Sequence, residues 1–287
     1  MGLLILILGV NWPFLAIGLR DISPLWMSAL RLLSGTLVVL AVTAIAGRLR
    51  APTREDLPVI LSVGWVRLAM VYVLVFTALQ SIPPGRSSVL VWTASLWAVP
   101  IAGIFLSERM SLLRWLGLTL GIVGIVALVE PWTTRWSQPG VAVGHAFLIL
   151  AAIISAAVSV HIRGHRFVAT PLELLPWQLL AATVPILALA LWREGLPAIA
   201  WTPALVGIVA YQGIPATGLA LWLQVSVLRS LPAVSTNLWL MLVPVVGLIS
   251  SALIVNEVIT IPLLVGLLLI FAGVGLNLGA DRQLDEI

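Results

Sequence analysis

Apolar runs of about 20 residues, the length that crosses a ~30 Å hydrocarbon core at 1.5 Å per residue, recur along the whole chain with short polar breaks. Ten such runs are readable, at residues 2–19, 24–46, 57–79, 85–106, 111–130, 140–161, 171–192, 202–228, 232–254 and 259–279. Each predicts a transmembrane helix, since a helix satisfies its own backbone polar groups where no water can. The first run has no charged segment ahead of it and no small-residue cleavage site behind it, so a retained helix is expected and not a signal peptide. Its Met-Gly start lacks the Ser or Thr that myristoylation needs. The breaks are punctuated by proline, as at Ile82-Pro83-Pro84-Gly85 and Leu231-Pro232, where proline suits the first turn of the next helix. The widest breaks, 47–56 and 130–139, are too short for an extramembrane domain. Any chemistry therefore belongs inside the bundle or at its mouths.

The pattern repeats. At an offset of 149 residues Gly64 falls on Gly213, Pro83 on Pro232, Glu108 on Glu257, Gly117 on Gly266 and Gly124 on Gly273. Further upstream an offset of 147 matches Pro24-Leu25 with Pro171-Leu172 and sets Arg31 opposite Gln178. One repeat is five spans, which divides the chain into 1–134 and 135–287. Because five is odd, the second copy enters the membrane from the opposite side. The expected fold is an all-α membrane protein of ten transmembrane helices, arranged as two inverted five-helix repeats around a central cavity. That arrangement is characteristic of secondary transporters, whose substrate site lies near the midplane between the halves.

Composition agrees with a membrane protein and removes several functions. The chain is 61% hydrophobic and 9% charged, with a mean hydropathy of +1.15. Its 15 basic residues are all Arg, against 11 acidic residues and 3 His. The net charge of +4 reflects helix-end anchors, so nucleic acid is not expected as a partner. With no Cys there is no disulfide, thiolate nucleophile or zinc cluster. With no Lys there is no P-loop lysine and no Schiff base. No catalytic residue, metal or cofactor is expected.

Arginine also predicts topology. With the N-terminus inside, nine Arg (48, 50, 54, 109, 114, 163, 166, 229, 282) lie at cytoplasmic ends and four (20, 86, 135, 193) at the other side. Both termini are then cytoplasmic. Trp26, Trp132, Trp136, Trp192 and Trp201 fall at external ends and predict an interfacial aromatic belt.

Asn11-Trp12 in the first span, Ser23-Pro24-Leu25 followed by Arg31, Ser107-Glu108-Arg109, and the stretch from Pro244 to Glu257 before a glycine-rich last helix together resemble the drug/metabolite transporter superfamily, EamA branch. The resemblance covers nearly the whole chain. It implies an inner-membrane metabolite exporter with a cavity lined mainly by spans 1, 3, 4, 6, 8 and 9. It departs from that pattern at Ser95, which stands where the second half has Pro244, and at Pro13, which replaces the usual glycine. Amino acids, aromatic or other neutral, are the first expected cargo, with other metabolites or drugs as the alternative.

Depth separates informative charges from anchors. Arg67 lies ten residues into span 3, about 15 Å deep, where an Arg costs at least ~2.5–3.5 kcal/mol. It can hold a substrate carboxylate with its planar fork, or bond freed backbone carbonyls as glue between helices. Arg31, seven residues into span 2, is expected to be a packing element. The other candidate substrate-binding residues are Asn11, Trp12, Tyr72, Ser88, Trp92, Ser159, Tyr211, Gln212, Asn237 and Trp239, with Ser155 beside them. Ser88 and Asn237 are 149 residues apart, each followed by an indole. Apolar walls with a few convergent polar groups suit an amphipathic small molecule. His161 and His165 have the i, i+4 spacing of metal ligands but no third ligand, and His145 is expected at the external mouth. Pro13, Pro100, Pro185, Pro215 and Pro244 fall inside spans and predict kinks. Gly117, Gly121 and Gly124, echoed by Gly266, Gly273 and Gly275, predict close packing of span 5 on span 10 in a monomer.

The expected function is a secondary transporter exporting its substrate across the bilayer by alternating access. A channel or an intramembrane enzyme is the rival, but no paired intramembrane Asp, H-E-x-x-H or serine-nucleophile motif supports an enzyme. With no intramembrane carboxylate, uniport or exchange is expected over proton antiport.

Overall fold

The computed structural model describes residues 1–287 except 108, 109, 135, 166, 198, 200, 225–238 and 286–287, and only the backbone over 280–285. The described residues contain helices and no strand. In chain order these are α1 (Gly2–Gly18), α2 (Pro24–Ile45), α3 (Leu57–Ala78), α4 (Pro84–Phe105), α5 (Leu112–Val129), α6 (Val141–Gly164), α7 (Pro171–Glu194), α8 (Pro203–Gln224), α9 (Leu242–Val255) and α10 (Ile261–Asp285). Eight are long and apolar enough to cross a membrane, and α1 and α9 are shorter apolar helices. The chain is a multi-pass membrane protein. The stretch 225–238, where the expected eighth and ninth runs meet, lies outside the described residues.

Local chemistry sets the starts. Ser23, Ser111 and Thr202 each accept the backbone N–H three residues on, at the heads of α2, α5 and α8. Thr170 and Glu173 bond reciprocally to cap α7. Proline follows the cap at Pro24, Pro171 and Pro203, where its missing N–H costs nothing. The prolines inside α1, α4 and α7 are accommodated without ending the helix.

Positions 149 residues apart share local geometry. Both α3 and α8 contain a π-helical stretch, Ser62–Met70 and Ile214–Leu219, and the offset maps the second onto 65–70. Ser107 and Asn256, also 149 apart, both take positive φ, 55° and 56°, at the turns after α4 and α9. Gly64 of α3 abuts Gln178, Ala181 and Ala182 of α7, while Gly213 of α8 abuts Ser34 and Gly35 of α2. Ser34 and Ala181, and Gly35 and Ala182, are related by the 147 offset.

The helices pair accordingly. α2 packs on α7, and α5 on α10; α1 packs on α9 as α4 does on α6. At the α5–α10 seam a Cβ on Gly117 would lie 2.6 Å from the Gly273 carbonyl oxygen, and one on Gly124 would lie 2.8 Å from that of Gly266. The two helices therefore run antiparallel with their backbones in contact, which only glycine permits. Trp26 departs from the expected belt: it is 6% exposed, in the core against Met27 and Leu32, whereas Trp132, Trp136, Trp192 and Trp201 are exposed. The head of α2 is covered by its neighbours, so its indole meets protein and not the interface.

Candidate functional site

A cavity of about 800 Å³ runs from one end of the bundle past its middle, as far as Leu15, Phe76 and Val89. Its wall takes the first turns of α5, α7 and α9, as at Arg114, Pro171 and Pro244, the last turns of α6 and α8, as at Arg163 and Gln224, and the second half of α10, as at Asn277. Odd helices thus start, and even helices finish, at the cavity end. The N-terminus lies there too, because α1 runs antiparallel to α8: Gly18 abuts Ile208 near the head of α8, and the Tyr211 hydroxyl donates to the Ile7 carbonyl at 2.8 Å.

Six of the residues predicted from the sequence line this cavity: Arg67, Asn11, Trp12, Tyr72, Trp92 and Ser159. Arg67 sits on the π-helical stretch of α3, a distortion that re-aims side chains and recurs at functional sites. It makes no hydrogen bond or ion pair with any described residue, and no described Asp or Glu lines the cavity. Asn11, 6% exposed, has an amide oxygen without a partner. Counted along their helices from the cavity end, Asn11, Arg67 and Ser155 lie nine or ten residues in, about 13–15 Å deep. Three polar groups therefore share one level near the middle of the bundle.

The structure sends the other candidates elsewhere. Ser88 is fully buried, its hydroxyl donating to the Gly85 carbonyl at 2.7 Å while its Cβ faces Gly247 of α9. Gln212 is fully buried, and its Oε1 accepts from Arg31 Nη1 at 2.7 Å. Tyr211 is committed to Ile7 and stacks edge-on against Phe14. Trp239 is exposed and does not reach the cavity wall. Asn237 lies outside the described residues, as do Glu108 and Arg109.

Arg31 borders the cavity but is pinned. Its guanidinium bonds Gln212 and lies 4.6 Å from the centre of the Tyr72 ring, so it braces a wall residue from behind. Sequence reasoning missed Gln178, Arg114, Arg163 and Asn277 as wall residues. The Arg pair was read as anchoring the cytoplasmic ends, and the signal that could have found it was proximity to those ends in a cavity that reaches its mouth.

The opposite end is sealed by polar bonds between helix ends. Arg86 Nη2 and Glu130 Oε1 are 3.0 Å apart, and Glu130 also accepts from the Thr133 and Thr260 hydroxyls. Burial works to raise the Glu130 carboxyl, but those hydroxyls and Arg86 hold it below its ordinary value. Glu257 accepts the Gly85 and Arg86 backbone N–H groups at 2.7 and 2.9 Å, an anion at the positive end of α4. His145 is buried at this end beside Trp136, its Nδ1 2.9 Å from the Val141 carbonyl oxygen. On the cavity side Asp56 ties two loops together, accepting from Thr53, Val168 and Ala169. Burial opposes ionisation there, yet these bonds hold its pKa at about 2. His161 and His165 stack with ring centres 5.3 Å apart, and no group of three metal-ligating side chains occurs among the described residues.

Among the described residues, then, a helical bundle holds a polar-studded cavity that reaches one end and is bonded shut at the other. Residues 1–129 and 142–279 match the EamA-like transporter family. The chain belongs to that family. It is thus a membrane transporter. This EamA-like transporter is 26% identical over 273 residues to the uncharacterized transporter YoaV of Bacillus subtilis (strain 168), covering 95% of this chain and 93% of that one. It is 26% identical over 292 residues to a probable amino-acid metabolite efflux pump of Salmonella typhimurium, covering 98% and 94%. It is 29% identical over 296 residues to a probable terminal-alkyne amino-acid exporter of Streptantibioticus cattleyicolor, covering 96% and 93%. A crystal structure 19% identical in sequence superposes with a TM-score of 0.67 over 98% of this EamA-like transporter and 97% of that chain, a likeness of fold.

Proposed function

We propose that this transporter is a secondary exporter of small metabolites, amino acids first, working by alternating access in the cytoplasmic membrane with both termini inside. In this reading the ten helices all span and form two inverted five-helix repeats, 1–134 and 135–287, in a monomer. The paired π-helical stretches, the paired positive-φ turns and the antiparallel glycine seam support the repeat. The single observation that carries the function is Arg67: a guanidinium at mid-depth on a cavity wall, with no described counter-charge. Water and a transiently bound anion compensate it best, and its fork matches a carboxylate.

The same level supplies what the other end of a zwitterion needs. The free Asn11 amide oxygen and the Ser155 hydroxyl can accept from an ammonium, and the Trp12 and Trp92 faces favour a cation or an apolar side chain. Relatives named as amino-acid efflux pumps and exporters point the same way. The protein in proteoliposomes preloaded with unlabelled amino acid is expected to show saturable uptake of labelled amino acid by counterflow. Single-channel currents, or flux that neither saturates nor exchanges, would overturn the carrier reading.

A further inference from the structure

We propose that the Arg86–Glu130 ion pair is a latch that holds the far end of the bundle shut and, being present in one repeat only, biases the transporter toward the state in which its cavity faces the chain termini. This rests on the alternating-access reading above.

Four helix ends from both halves of the chain meet at the pair. Arg86 stands in the first turn of α4, Glu130 follows α5, Glu257 follows α9 and Thr260 precedes α10. The side chains of Arg86 and Glu130 are 15% and 8% exposed, so the pair is shielded from salt and from competing water. Removing one partner leaves the other charge partly buried and uncompensated. None of these four residues borders the cavity, whose wall on α5 is confined to the opposite end at Arg114 and on α6 runs from that end to mid-span at Ser155. Opening a path to this face requires the head of α4 to part from the tail of α5 and the α9–α10 corner, and the Arg86–Glu130–Thr260 chain joins them.

The repeat shows which part of this arrangement is extra. At the 149 offset Glu257 corresponds to Glu108 and Thr260 to Ser111, so the carboxylate and hydroxyl recur in both halves. Arg86 corresponds to Ser235 and Glu130 to Gly279, so the ion pair does not. In two inverted copies the end states exchange under the pseudo-symmetry, and only contacts lacking a counterpart can make them unequal in energy. A contact present in one state alone shifts the population toward it by its own differential free energy.

The chain has no Cys, so a single cysteine needs no background removed. In Ala98→Cys, on the cavity wall, the initial rate of labelling by a membrane-impermeant maleimide is measured from each face, using intact cells and inside-out vesicles. Labelling is expected from the terminus-bearing face alone. Adding Arg86→Gln, or the isosteric Glu130→Gln that keeps an acceptor for Thr260, should raise labelling from the other face about fivefold or more, with the double variant no higher than either single one. One-sided labelling unchanged by both substitutions overturns the latch and leaves alternating access standing. Equal rates from both faces in the parent overturn the latch together with the reading on which it rests.

Discussion

Thr36 and Thr183 touch each other across the α2–α7 seam, their hydroxyl oxygens 2.7 Å apart, and they are separated by the 147 residues that relate those two helices. In the proposed two-repeat arrangement, a residue meeting its own counterpart would lie on the axis relating the halves. Each hydroxyl also reaches the carbonyl four residues back, Leu32 at 2.7 Å and Leu179 at 2.8 Å. Two protons thus serve three contacts, so one Thr donates to its own helix and the other donates either across the seam or to its own helix.

Thr36→Val and Thr183→Val should therefore each cost about 0.5–1.5 kcal/mol, and the double variant should cost less than their sum, since the shared bond can be lost only once. Thermal unfolding in detergent measures this. Strict additivity would mean that the two hydroxyls do not bond each other.

The glycines of the last helix are not equivalent. A Cβ at Gly273 would sit 2.4 Å from the Gly117 carbonyl oxygen and 2.9 Å from the Gly121 nitrogen, both backbone, whereas a Cβ at Gly275 meets nothing within 4 Å. Gly273→Ala should destabilise by about 1–3 kcal/mol through forced separation of α5 and α10, while Gly275→Ala should be neutral or slightly stabilising. Melting temperatures of the two variants, compared with the parent, decide it.

At the cavity end the Asp56 carboxyl titrates at about 2, below its ordinary 3.8, because four hydrogen bonds from Thr53, Val168 and Ala169 favour the charged form. A lowered folded-state pKa contributes stability that is full above the unfolded value and lost as pH falls through the folded one. Asp56→Ala should cost about 1–3 kcal/mol near neutrality, with the difference from the parent shrinking between about pH 4 and pH 2. A pH series of unfolding midpoints tests the sign.

Helix starts were legible because the chemistry that makes them is local: Ser23-Pro24, Ser111, Thr170-Pro171 and Thr202-Pro203 announce α2, α5, α7 and α8 within three residues. The depth of Arg67 was legible too, since it needs only a count from the start of α3. Which way a side chain points was not. These helices are apolar on every side, so no polar stripe marks the face that looks inward. Gln212 and Tyr211 stand one residue from each other at mid-span, and both turn out to be spent on Arg31 and on the Ile7 carbonyl. Arg114 and Arg163 were hidden for the opposite reason: an Arg near a helix end satisfies the rule for anchors whether or not a cavity opens beside it.

The two deep arginines give the sharpest contrast. Arg31 has Gln212 and the Tyr72 ring as fixed partners, so Arg31→Ala removes a brace and leaves the Gln212 amide oxygen buried without a donor. Its expected signature is a lower melting temperature, about 1–3 kcal/mol, whatever its effect on transport. Arg67 has no such partner, so Arg67→Ala should leave the fold intact and weaken the apparent affinity for an amino acid about 10- to 150-fold, the loss of one charge-assisted interaction of about 1.5–3 kcal/mol. Arg67→Lys should restore only part of it, because an ammonium cannot make the two parallel bonds of the fork. The cargo's own chemistry supplies the control: amidating the substrate carboxylate should cost the parent protein as much affinity as Arg67→Ala does, and should cost the Arg67→Ala variant nothing more. If the amide and the acid instead lose affinity equally when Arg67 is replaced, the guanidinium is acting on the helices and not on the carboxylate.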